Sequence, residues 1–327
     1  MAEKLARLGR RAGLALALTG AAGPQASAQS WAPTRPLRMI VPFPPGGTTD
    51  TLARLTAERL GAALGQTVVI DNRPGAAGSI AADIAGKTEP DGQTLFFASI
   101  GTAATNQFLY PSMPHNNEAL AEVAGMFSLP NMATVAPSAP WRTLGDFIAA
   151  ARARPGLLTF GSSGAGSSLH LTGALLAARA GIDILHVPYR GAGQMLNELV
   201  AGRISIAFGN ISTGIGLVRD GVLRALATTG AQRNAALPDV PSFGETVPGF
   251  VATVWYGLQV PRGTPPAVIA RLNQEARAML ADETVLARLT HIGVAPMGGS
   301  PADFTRFIAA EIAQWRQVIR DAGITAE

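Results

Sequence analysis

Short apolar runs alternate with glycine-bearing polar breaks over most of this chain. Leu37-Arg38-Met39-Ile40-Val41 has the length and composition of a buried strand. Pro42-Phe43-Pro44-Pro45-Gly46-Gly47 breaks it. The spacing of Leu52, Leu55 and Leu60 then predicts a helix that Thr48, Thr49 or Asp50 can cap and that Gly61 and Gly65 end. Residues 67–70 form a second strand, 72–78 a second glycine loop, and Ser79 caps a helix carrying Ile80 and Ile84. A third strand covers 95–98. The rhythm returns with Thr143 and Asp146, a capping-box variant ahead of Phe147 and Ile148. Strands follow at 158–160, 184–187, 204–208 and 223–228. A serine-rich glycine loop covers 161–168, with helices over 169–180 and after Gly193. The tail reads as helices at 265–280, 282–291 and 301–322.

Alternating strand and helix signals imply parallel sheets covered by helices. The pattern predicts an α/β chain of two lobes, with a mainly parallel sheet in each. The first lobe takes 31–131 and 254–327, the second 132–253, with crossings near Asn131 and Val254.

Composition narrows the class. The length of 327 residues suits about two domains. With 47% hydrophobic and 15% charged residues, the chain has ample material for a core, which excludes a disordered polymer. It holds 37 glycines without a G-X-Y period, which excludes collagen. The cysteine count of 0 excludes disulfides, thiolate metal sites and a cysteine nucleophile. A net charge of +4 invites a nucleic-acid reading, but Lys4, Arg7, Arg10 and Arg11 against Glu3 place +3 of it before residue 29. The remainder has no basic run to track phosphates, so no nucleic-acid partner is expected. Those first 28 residues form a positive segment, a short apolar stretch and Ala26-Ser27-Ala28, the pattern of a cleaved signal peptide. The mature protein is therefore expected to be exported, to the periplasm in a bacterium with two membranes.

Enzyme motifs fail at defined positions. Gly161-Ser162-Ser163-Gly164-Ala165 departs from G-x-S-x-G at Ala165. Gly164 to Leu169 misses the dinucleotide pattern at its last position, and Gly86-Lys87-Thr88 lacks the earlier phosphate-loop glycine, having Ala81 there. His115, His170, His186 and His291 are scattered without metal spacing, so neither a metal nor a cofactor is expected. The glycine loops say more. Both 43–50 and 72–79 follow strand ends and feed helix starts, where ligands of parallel sheets bind. A helix N-terminus offers unpaired N–H groups and partial positive charge. Two such ends converging make an anion site; the plainer alternative is a pair of tight βα turns.

At these residues the chain resembles the tripartite tricarboxylate transporter substrate-binding family, the Bug or TctC-like receptors. The matching segments include Val41-Pro42-Phe43-Pro44-Pro45-Gly46-Gly47-Thr48-Thr49-Asp50, Asn72-Arg73-Pro74-Gly75-Ala76-Ala77-Gly78, Pro90-Asp91-Gly92-Gln93-Thr94-Leu95 and His186-Val187-Pro188-Tyr189-Arg190-Gly191. Leu237-Pro238-Asp239-Val240-Pro241 and Gly263-Thr264-Pro265 follow in family order. The resemblance implies a two-lobed periplasmic binding protein of the Venus flytrap type. It would be a monomer that closes on a small carboxylate and delivers it to a permease of a large and a small membrane subunit. It carries Phe43, Gly47, Thr48, Thr49, Ala77 and Gly78 over as contacts of the first lobe. Ser162, Ser163, Ser168, His170, Tyr189, Arg190, Gly191 and Asn210 carry over as contacts of the second.

Three departures qualify the likeness. Gly209 stands where many relatives have an aspartate that can hold an ammonium, which disfavours an amino-acid ligand. Ala77 replaces a common glycine, and 110–121 lacks the usual acidic-aromatic pattern. Two other classes compete. An exported serine hydrolase would use Ser163 and His170, but the sequence supplies no defined acid partner. A ligand-sensing subunit of a membrane signalling protein would look the same in sequence.

Overall fold

A computed structural model describes residues 31–110, 117–321 and 323–325. The segment 1–28, expected to be a signal peptide, lies outside the described residues. The chain from Trp31 onward forms one compact unit.

The first elements are β1 (Leu37–Val41), α1 (Thr48–Leu64), β2 (Val68–Asn72), α2 (Ser79–Gly86), β3 (Thr94–Ser99) and α3 (Asn106–Leu109). Next come β4 (Leu120–Val135), α4 (Leu144–Ala153), β5 (Thr159–Ser162), α5 (Ser168–Ala180), β6 (Leu185–Pro188), α6 (Ala192–Val200), β7 (Ile206–Asn210) and α7 (Ile211–Arg219). The chain finishes with β8 (Arg224–Thr228), β9 (Thr253–Pro261), α8 (Pro266–Ala281), α9 (Glu283–His291), β10 (Ala295–Gly298) and α10 (Pro301–Asp321).

The strands run in the order β2-β1-β3-β9-β4-β7-β5-β6, with β8 and β10 also paired to β4. Each flank is parallel, as the strand–helix alternation predicts: β1 with β2 and β3, and β5 with β6 and β7. The middle is antiparallel, through β3–β9, β9–β4 and β4–β7. Strand β4 changes partner within one step. Leu120 to Pro130 pair with β9, whereas Asn131 to Thr134 pair with β7. The apolar pattern does not reveal β4 or β9. Pro130 and Gly125 interrupt the first, and both strands are buried on two faces, so neither alternates.

C-terminal α10 packs across these central strands. Gly125 and Gly257 are register partners, and a Cβ on Gly257 would stand 2.0 Å from the Phe304 ring. The missing side chains are what let that ring lie on the sheet backbone. Trp255 meets Phe304 edge-on at 5.6 Å and donates its indole N–H to Glu311 at 2.8 Å. Burial pushes the Glu311 carboxyl up, against the two indole hydrogen bonds it accepts.

Three local expectations need correction. The helix after the first loop is not capped by Thr48, Thr49 or Asp50; its N-cap is Gly47, and no side chain caps it. Ser79 does not cap α2, whose N-cap is Gly78 with no side-chain cap; its buried face is Ser79, Ala81 and Ala85, while Ile80 is exposed. The capping box at Thr143 and Asp146 forms as the spacing predicts.

Candidate functional site

The carboxyl ends of β1, β3, β5, β6 and β7 and the segments that follow them surround a cavity of about 290 Å³. Phe43, Gly47, Thr48, Thr49 and Ala77 line one wall; Ser163, Ser168, Arg190, Gly191 and Asn210 line the other. Gly78 and Tyr189 line an adjoining recess, which shares Phe43, Ala77, Ser163 and Arg190 with the cavity. Ser162 and His170 line neither space. The sequence pattern does not single out Ser99, Ile100 and Gly101, although they sit at a strand end like the chosen loops. It also passes over Gln194, Val254 and Tyr256 as lining residues; the last two lie in the strand that periodicity hides.

Three of the helix starts around the cavity share a property that α5, capped by Ser167, lacks. α1, α6 and α7 begin at Gly47, Gly191 and Asn210, each lining the cavity and none giving a side-chain cap. α2 begins at Gly78, likewise uncapped, beside the recess. By contrast, Thr143 caps α4 and Asp282 caps α9. Uncapped first turns keep N–H groups with no intrahelical acceptor and a partial positive charge. Arg190 is the one charged side chain lining the cavity, and it makes no salt bridge among the described residues. Among the described residues the cavity therefore presents donors and positive potential with no lining carboxylate.

The second glycine loop is held in an uncommon conformation. Ala76 and Ala77 have φ of 48° and 49°, between Gly75 and Gly78. A Cβ on Gly78 would stand 2.7 Å from both Pro42 and Thr102, so this position requires glycine by space as well as by φ. Asn106 anchors the loop by donating to the Ala77 carbonyl at 3.1 Å and the Ser79 hydroxyl at 2.9 Å.

Behind the second wall, the serine–histidine contact joins residues other than the pair considered for hydrolysis. Ser162 Oγ lies 2.6 Å from His186 Nε2 and also accepts the Gly164 N–H at 3.1 Å. His170 accepts the Gly166 N–H at Nδ1, 3.2 Å, and stacks on His186 with centroids 4.0 Å apart. Burial pushes each imidazole down to about 4, assisted at His186 by its histidine neighbour. Both rings are thus neutral at pH 7. Among the described residues no carboxylate hydrogen-bonds either ring, and the Ser162 side chain is sealed from the cavity. This arrangement stiffens a loop; it does not present a nucleophile.

Polar contacts also join the walls. Thr48 Oγ1 and Ser212 Oγ are 2.8 Å apart, and the Tyr110 hydroxyl donates to the Ala165 carbonyl at 2.6 Å. Asn210 donates to Asn131 Oδ1 at 2.7 Å, and Asn131 donates to Thr172 at 2.7 Å. Tyr256, a buried lining residue bonded to Thr49, has its phenol pushed up to about 12 by burial.

Comparison with known proteins agrees with this geometry. BugT of Bordetella pertussis is 36% identical over 314 residues, covering 95% of this chain and 96% of that one. A structure described as R. palustris Rpa4515 with adipate superposes with a TM-score of 0.87 at 39% identity, covering 90% of this chain and 99% of that chain. MatC (Rpa3494) from Rhodopseudomonas palustris with bound malate gives 0.83 at 30% identity, covering 88% and 99%. The fold is thus that of the two-lobed periplasmic binding proteins. The profile described as tripartite tricarboxylate transporter family receptor matches residues 52–324, and the chain belongs to that family.

Proposed function

We propose that this protein is a periplasmic receptor for a small dicarboxylate, which it delivers to the large and small membrane subunits of a tripartite transporter. One observation carries the reading: three uncapped helix starts line a cavity whose one charged lining residue, Arg190, makes no salt bridge among the described residues. One carboxylate takes backbone N–H groups at Gly47 to Thr49 and near Ala77; the distal one takes the Arg190 fork. Two relatives hold adipate and malate, both dicarboxylates. Residues 1–28 would be removed on export. Among the described residues no helix is long and apolar enough to cross a membrane.

Release and capture need a hinge. The partner change of β4 at Pro130 and Asn131, and the neighbouring start of β9, support lobes of 31–131 with 254–327 and of 132–253. The Thr48–Ser212 and Tyr110–Ala165 bonds would form on closure. A ligand touching both lobes favours the closed form by its differential affinity. Calorimetric titration of the exported protein with adipate, malate and matching monocarboxylates tests the ligand class. Small-angle scattering tests closure. Saturable dicarboxylate binding, a smaller radius of gyration and chemically unchanged ligand are expected. Absence of binding across the series, or conversion of the ligand, would reject the reading.

A further inference from the structure

Asp50 is a carboxylate in the first turn of the helix whose start faces the anion cavity, and it is only 3% exposed. By charge alone it opposes the ligand. Its contacts suggest another task. Oδ2 accepts the Gly46 N–H at 3.0 Å and Arg54 Nε at 2.9 Å; Oδ1 accepts Asn72 Nδ2 at 3.0 Å. The same Asn72 nitrogen donates to the Phe43 carbonyl at 2.9 Å. Asn72 ends β2 and opens the second glycine loop, whereas Phe43 and Gly46 belong to the first. Burial would raise the Asp50 carboxyl, but hydrogen bonds from Arg54, Gly46 and Asn72 outweigh it and hold the group below its ordinary value.

We propose that Asp50 and Asn72 are positioning residues that tie the two glycine loops into one cradle for the ligand carboxylate. This rests on the receptor reading above. Neither side chain lines the cavity. Asp50 occupies the Gly46 N–H and leaves the donors from Gly47 onward to the ligand, while Arg54 offsets its charge on the side away from the cavity. Every group facing the Asp50 carboxylate is a donor. Asparagine keeps the shape but turns one oxygen into an NH2, so a donor then meets a donor.

The clamp and simple electrostatics predict opposite signs for Asp50→Asn. Removing a negative charge near an anion tightens binding; breaking the clamp weakens it. With adipate as probe, the clamp predicts affinity lower by about tenfold to hundredfold while the unliganded variant still melts cooperatively. Unchanged or tighter binding would overturn the proposal. A second readout needs no ligand and keeps it testable if Asp50→Asn is poorly folded or adipate does not bind. In unliganded Asn72→Ser, amide hydrogen exchange should speed up across 43–49 as well as across 72–78. Acceleration confined to 72–78 would overturn the clamp. If wild-type protein binds no dicarboxylate yet both loops loosen together, the receptor reading fails and the clamp stands.

Discussion

Helices α1 and α4 open with the same device and end differently. Each carries an aspartate three residues after its N-cap that reaches back to backbone N–H groups: Asp50 to Gly46, Asp146 to Arg142 and Thr143. In α4 the N-cap is Thr143, whose hydroxyl accepts the Asp146 N–H at 3.1 Å, so the end satisfies itself. In α1 the N-cap is Gly47, which has no oxygen to offer. Helix α5 is intermediate. Ser167 caps it, and His170, a neutral imidazole in the aspartate's position, accepts the Gly166 N–H. Without that hydroxyl, the α1 end lacks the side-chain cap that closes α4, and in the proposed function its donors are left for an acceptor from outside.

The largest effect is expected from removing that difference. Gly47 has φ −85° and ψ 174°, and a Cβ built on it meets nothing within 4 Å, so Gly47→Thr should fold. The new hydroxyl fills the donors, and the side chain fills the space. Titration should show adipate affinity lower by roughly a hundredfold or more, about 2.7 kcal/mol. Stability of the unliganded variant should rise by a few tenths of a kcal/mol. Retained affinity would show that the helix start is not the anion site.

Arg190→Ala sharpens the contrast between a backbone wall and a side-chain wall. It should weaken adipate binding about tenfold to hundredfold and leave a monocarboxylate of the same chain length nearly unchanged. Equal losses would place Arg190 at the shared carboxylate instead.

Acid should strike α5 before α4. His170 and His186 titrate near 4 folded, against 6.5 as the ordinary value. The unfolded chain therefore binds more protons between these pH values, and stability falls as pH drops below 6.5, levelling off near 4. The loss is on the order of 2 kcal/mol per ring at pH 5. Denaturant melts from pH 7 to 4.5 should show this slope, and His170→Asn should flatten part of it. A pH-independent midpoint would contradict buried neutral rings.

The smallest effect falls on the finished end. Thr143→Ala should cost about 1 kcal/mol of stability in a thermal melt, with binding unchanged.

Much of the outer fold is legible because its short apolar runs are bounded by turn residues. The strand at Leu37–Val41 and the Thr143 box are read directly, since five apolar-dominated residues or a hydroxyl–acid spacing act locally. Strands β4 and β9 are not, because burial on both faces leaves no alternation and Gly125, Pro130 and Gly257 interrupt their apolar runs. Tyr256 and Val254 go unread as lining residues for the same reason. Ser162 and His170 show the converse: polar residues beside a glycine loop look like ligand contacts, yet their atoms turn to Gly164, Gly166 and His186.

By itself the sequence determined where the glycine loops follow strand ends and where the Thr143 and Asp146 capping box closes a helix. These follow from local chemistry, in which a backbone N–H either has an acceptor nearby in the chain or lacks one. Only the tertiary structure decided that the uncapped starts of α1, α6 and α7 meet around one cavity with Arg190. It also decided that Asn72 bonds to Asp50, 22 positions away, and Thr48 to Ser212, 164 positions away. Such pairings depend on strand order, and strand order is set by which buried faces fit together across the whole chain, a property no local window contains.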